Sequence, residues 1–150
     1  CDWSSDVCSS DLKLWPHRLL VKGLLHPQDA AMAADCGADG VIVSNHGGRQ
    51  LDTCYPTTLA LPEVLEAVGE RSMVIVDGGI RRGADIVKAL CMGAKAVFIG
   101  RAYAYGLAAE SQAGIARSIA ILRADLERTL AHLGCGSIRD LGPQFIHRLR

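Results

Sequence analysis

The 150-residue sequence has no net charge, because sixteen Lys and Arg are balanced by sixteen Asp and Glu. Without a basic or acidic excess it offers no electrostatic footprint for a nucleic acid or an acidic lipid surface. It also lacks any apolar run near the ~20 residues that a membrane-spanning helix requires. Its six cysteines, at positions 1, 8, 36, 54, 91 and 135, include no CxxC pair and no His/Cys spacing of the zinc-binding kind. No metal site is expected, and the cysteines read as reduced cytosolic thiols, most of them small buried fillers. Charged residues are 21% of the chain against 49% apolar. That balance argues against a disordered chain and suits one domain, or a piece of one, with a sizeable core.

The first twelve residues, CDWSSDVCSSDL, stand apart. They carry three acidic residues, no base and a near-repeat. A secretory signal would need a basic start and an apolar middle, and neither is present. The stretch resembles a translated sequencing-adapter tail; a natural flexible terminus is the alternative. Residues 1–12 are therefore read as a non-native or disordered leader, which hints at truncation of the amino end. Residues 13–150 carry the fold.

From Lys13 the pattern alternates strand and helix. HRLLVKG (17–23), GVIVSN (40–45), MVIVDGG (73–79) and KAVFIGR (95–101) are short apolar runs. Their β-branched content without alternation predicts parallel strands buried on both faces. Helices are predicted over 26–38, with Pro27 in the first turn and Gly37 at the stop, and over 58–69, with Pro62 marking the start. Two more are predicted over 83–93, closed by Gly93, and from about 103 to 133. Such a chain is α/β, with right-handed crossovers between parallel strands. Every strand ends in polar or glycine-rich sequence: VKG, VSNHGG, VDGG and FIGR. A TIM (β/α)8 barrel gathers its reactive groups at the carboxyl ends of all its strands, whereas a doubly wound sheet concentrates them at one switch point. Four βα units are about half of a ~250-residue barrel.

Two loops suggest a phosphate. DGGIRRG (77–83) and IGR (99–101) close consecutive strands, and glycine lets backbone N–H groups approach an anion while Arg81 or Arg101 adds charge-assisted hydrogen bonds. Taken singly, each could be only a tight turn; two adjacent loops, both with arginine, favour a phosphorylated cofactor. One strand upstream lies SNHGGRQLD (44–52). Arg49 has the planar fork for a carboxylate, and His46 is the residue type best suited to take a proton near neutral pH. Lys22 adds a fixed positive charge at the same strand ends.

These motifs, LLVKG, ADGVIVSNHGGRQLD and VDGGIRRGADIVKALCMGAKAVFIGRAYAYGLA, resemble the carboxyl-terminal half of the FMN-dependent 2-hydroxy acid oxidases and dehydrogenases. That group includes glycolate oxidase, L-lactate dehydrogenase and flavocytochrome b2. RRGADIVKAL, RAYAYGLAA and LRADLERTLAHLGC are most similar to its mandelate dehydrogenase branch. The resemblance implies FMN as cofactor and oxidation of a mandelate- or lactate-like L-2-hydroxy acid to the 2-oxo acid. It gives Lys22 a place beside flavin N1 and O2 and makes Ser44 a flavin-ring contact. His46 becomes the base and Arg49 the carboxylate grip. Asp77, Gly78, Gly79, Ile80 and Arg81 would hold the ribityl chain and phosphate, and Gly100 and Arg101 would form the second phosphate loop. It further implies O2, a quinone or a cytochrome as electron acceptor, a homo-oligomeric full-length form, and a cytoplasmic location with peripheral inner-membrane association open to that form. Strands one to four of the family barrel have no counterpart here, so the chain alone is expected to be inactive. Two other readings are a non-catalytic phosphate-binding half-barrel and a barrel oxidoreductase like inosine-monophosphate dehydrogenase, which would need a loop cysteine.

Overall fold

Four β-branched runs dictate the architecture. In a computed structural model, which describes residues 14–147, they form β1 (Leu20–Leu24), β2 (Gly40–Val43), β3 (Met73–Asp77) and β4 (Ala96–Phe98). All pairs are parallel, and the sheet order is β1-β2-β3-β4. A doubly wound sheet reverses its order at a switch point; among the described residues this sheet does not. The helices α1 (Pro27–Asp35), α2 (Thr57–Val68), α3 (Gly83–Met92) and α4 (Arg101–His132) follow their strands in turn.

The core lies between sheet and helices. Val21, Val41, Val43, Val74 and Val76 pack against Ala30, Ala33, Ala60, Leu61, Val64 and Ala89. Removing these side chains from water is the main favourable contribution to such a layer. Lys22 within β1, Ser44 just after β2 and Asp77 at the end of β3 are not part of this cluster.

The structure corrects two expectations. Pro62 does not start α2, since the helix begins at Thr57 with Pro56 as its N-cap and carries Pro62 inside. Its ring removes one hydrogen bond, which costs about 3 kcal/mol. Leu61, Val64 and Val68, all fully buried around it, hold the turn in place. The last helix is not continuous either: Glu110 (φ −150°) and Ser111 (φ 50°) break it. The two pieces cross at Gly106 and Gly114, where a Cβ on either residue would overlap the other's carbonyl.

The helices are also tied end to end. Asp85 accepts from the N–H groups of Arg81 and Arg82 at 3.0 and 2.9 Å. Asp125 of α4 accepts from the Gly83 N–H at 2.6 Å. Both carboxylates sit where the α3 macrodipole is positive. The leader at 1–12 lies outside the described residues.

Candidate active site

The strand ends bring together what the sequence spreads over eighty residues. Lys22, His46, Arg49, Asp77, Gly78, Gly79, Ile80, Arg81, Gly100 and Arg101 all line one cavity of about 1090 Å³ at the carboxyl edge of the sheet. Ser44 is the exception: it is fully buried beneath that wall. The sequence reading omitted Gln50, Tyr103, Tyr105 and Ser118, which also line the cavity. A polar residue next to Arg49 and two tyrosines after a strand-end arginine were the available signals.

The residues after β2 form a left-handed turn. His46 (φ 53°), Gly47 (φ 68°) and Gly48 (φ 73°) follow one another in that region. A non-glycine residue there costs of order 1–3 kcal/mol. Several bonds hold it: the Asn45 side chain accepts from the Gly47 N–H at 3.0 Å, and the Ser44 hydroxyl accepts from the His46 N–H at 3.1 Å. From β4's end, Arg101 donates through Nη2 to the Gly47 carbonyl at 2.8 Å. The imidazole lies over Gly23, where a Cβ would come within 2.8 Å of Nε2. Gly23 also marks the irregularity in β1–β2 pairing. The lack of a side chain there leaves the ring its place.

Charge is arranged across three strands. The Lys22 ammonium pairs with Asp77 Oδ2 at 2.7 Å and donates to Ser44 Oγ at 2.8 Å. Ser44 Oγ donates to Asp77 Oδ1 at 2.5 Å. The anion cradle lies beyond this trio. A Cβ at Gly79 or Gly100 would meet nothing within 4 Å, so the backbone there is open to the cavity. The first N–H groups of α4, at Arg101 and Ala102, have no acceptor within their own helix, and their end of the macrodipole favours an anion. An open backbone, a helix start and two arginines suit a phosphate, and the lysine suits a polar ring edge. The residues present therefore fit a phosphorylated flavin. Among the described residues no group of three or more His, Cys, Asp or Glu side chains could hold a metal ion. Cys54 is not part of the cavity wall, so the loop cysteine an inosine-monophosphate dehydrogenase would need is not supplied by that residue.

Residues 5–148 match the family model for FMN-dependent dehydrogenase. The chain belongs to the FMN-dependent dehydrogenase family. It is 50% identical over 133 residues to (S)-mandelate dehydrogenase of Pseudomonas putida, an alignment covering 89% of this chain and 33% of that protein. It is 47% identical over 134 residues to L-lactate oxidase of Nostoc sp., covering 89% and 37%. Among solved structures, a soluble mutant of the membrane-associated (S)-mandelate dehydrogenase from Pseudomonas putida superposes with a TM-score of 0.93 at 45% identity, over 99% of this chain and 42% of that one. The chain thus spans about a third of the length of the curated family members it matches. Its four βα units are the carboxyl-terminal half of a TIM barrel. No helix among the described residues is long and apolar enough to cross a membrane.

Proposed function

We propose that this chain carries the cofactor-binding and base-bearing half of an enzyme that oxidises an L-2-hydroxy acid, mandelate- or lactate-like, to the 2-oxo acid with FMN. The observation that carries the reading is the convergence of Lys22, His46, Arg49 and two glycine–arginine loops on one cavity. In this reading Gly79, Ile80, Arg81, Gly100 and Arg101 hold the phosphate, and Asp77 and Gly78 line the path of the ribityl chain. Lys22, with Ser44 beneath it, faces the polar edge of the ring. FMN, when bound, supplies the two-electron acceptor.

The chain's own residues do the rest. Arg49 receives the substrate carboxylate in a two-pronged grip, which fixes the adjacent hydroxyl-bearing carbon. His46, held by its strained turn, faces that carbon and takes a proton from the substrate as the electron pair leaves. Lys22 presents positive charge where negative charge accumulates, an electrostatic contribution that needs no rearrangement at the moment of reaction. The family match and the high identity to a mandelate dehydrogenase and a lactate oxidase support this chemistry.

The test uses a full-length family barrel carrying this half. His46→Ala is expected to abolish turnover while FMN stays bound, because the base acts on substrate. Arg49→Lys is expected to raise KM strongly, about 10–100-fold, through loss of the bidentate grip. Steady-state kinetics and the visible flavin spectrum read both; normal turnover in the His46 variant would overturn the assignment.

A further inference from the structure

A serine hydroxyl has one hydrogen to give and two lone pairs to receive. The Ser44 hydroxyl uses all three. It receives the Lys22 ammonium at 2.8 Å and the His46 N–H at 3.1 Å, and gives its hydrogen to Asp77 Oδ1 at 2.5 Å. Ser44 is 0% exposed, so water does not compete for these positions. Lys22 is held from two sides, by Ser44 and by Asp77 Oδ2 at 2.7 Å. Of the three ammonium hydrogens, two are thereby committed. The third is left for the cavity that Lys22 lines.

We propose that Ser44 is a positioning residue: its hydroxyl aims the free hydrogen of Lys22 into the cavity and anchors the amide of the His46 turn with the same oxygen. An unpinned lysine has a flexible four-carbon stem and spreads its charge over many directions. Pinned at two acceptors, it becomes a directed donor. Asp77 serves as the counter-charge that keeps the pinned ammonium from being an isolated cation. This rests on the reading above that Lys22 faces the flavin ring, but the pinning itself needs no ligand.

The experiment separates the two. In the ligand-free chain, acylation by acetic anhydride is followed at individual lysines by mass spectrometry, with the exposed Lys88 and Lys95 as internal references. Lys22 is expected to react several-fold more slowly than both. Ser44→Ala is expected to bring it to within about twofold of them, because one of two pinning acceptors is gone. Asp77→Asn, which keeps the side chain's shape, should accelerate Lys22 as well and guards against misfolding of the first variant. A second arm measures FMN affinity by fluorescence quenching in the full-length family barrel carrying this half. Ser44→Ala should weaken FMN on the order of tenfold in the parent background, and not further in a Lys22→Met background, since a residue acting through Lys22 has nothing left to position. Lys22 acylation unchanged in both variants, or equal loss of FMN affinity with and without Lys22, overturns the positioning role. If FMN fails to bind the parent while Ser44→Ala still releases Lys22, the cofactor reading falls and the positioning role stands.

Discussion

His46 shows how much one residue can owe to its neighbours. Its left-handed backbone would be unfavourable alone, and it is secured by Asn45, the Ser44 hydroxyl and Arg101. Strain of this kind collects where a side chain must be aimed. The sequence made His46 and Arg49 visible because two chemically apt residues flank adjacent glycines at a strand end. It did not make the Lys22–Ser44–Asp77 trio visible as a unit, because that contact depends on strand register. A prediction belongs at this scale. Gly79 has φ +79° and open space where a Cβ would stand, so Gly79→Val meets backbone strain and screens the N–H groups an anion would use. FMN affinity should fall by at least about 100-fold, with the strain adding about 1 kcal/mol or more to the cost of folding. Equilibrium dialysis measures it, and unchanged affinity would reduce Gly79 to a turn former.

Strands and most helix boundaries were legible in the sequence because valine and isoleucine runs, Pro27 and Gly93 act locally. Pro62 and the Glu110–Ser111 break were not, because the first is overridden by buried leucine and valine neighbours and the second by contact between two helical pieces. The α3–α4 contact gives a sharper test. At Gly83 a Cβ would overlap the Leu126 backbone nitrogen, and backbone yields far less readily than a side-chain tip. Gly83→Ala should destabilise the chain by about 3 kcal/mol, at the upper end for overpacking. Gly93→Ala, facing only the tip of Leu65 but at φ +112°, should lose about 1–2 kcal/mol through backbone strain. Urea unfolding followed by circular dichroism compares them, and equal losses would discount the packing explanation. Cys91 supplies a chemical probe of the same layer. Burial, then the nearby Cys135 thiol, pushes its ionisation above the ordinary value of 9.0, against a lowering contact from the Gly142 backbone. A group raised in the folded state contributes stability below its unfolded value and loses it as pH rises, so this contribution should fade above about pH 9. At pH 8 Cys91 should resist a thiol reagent until urea unfolds the chain; rapid labelling of the folded form would contradict that.

At the scale of the whole molecule, β1 and β4 each leave one edge without a partner strand among the described residues. Leu20, Met73 and Phe98, large apolar residues on three of the four strands, are about 40% exposed. Open edges recruit other chains and exposed apolar surface favours association. The 150-residue chain alone is therefore expected to self-associate and to show no dye reduction with mandelate, lactate or glycolate. Size-exclusion chromatography and a dye assay decide, and an active monomer would overturn the expectation.

The strand order also governs what can happen while the polypeptide is still leaving the ribosome. Among the described residues each strand pairs only with its neighbours in sequence, so this part of the sheet can grow in the direction of synthesis, one βα unit behind the exit tunnel. The charge trio cannot keep that pace. Lys22 and Ser44 emerge first and wait for Asp77 at the end of the third strand, so the nascent site holds a cation without its counter-ion until then. Assembly of the fold is progressive, while neutralisation of the Lys22 charge is a single event that must await the third strand.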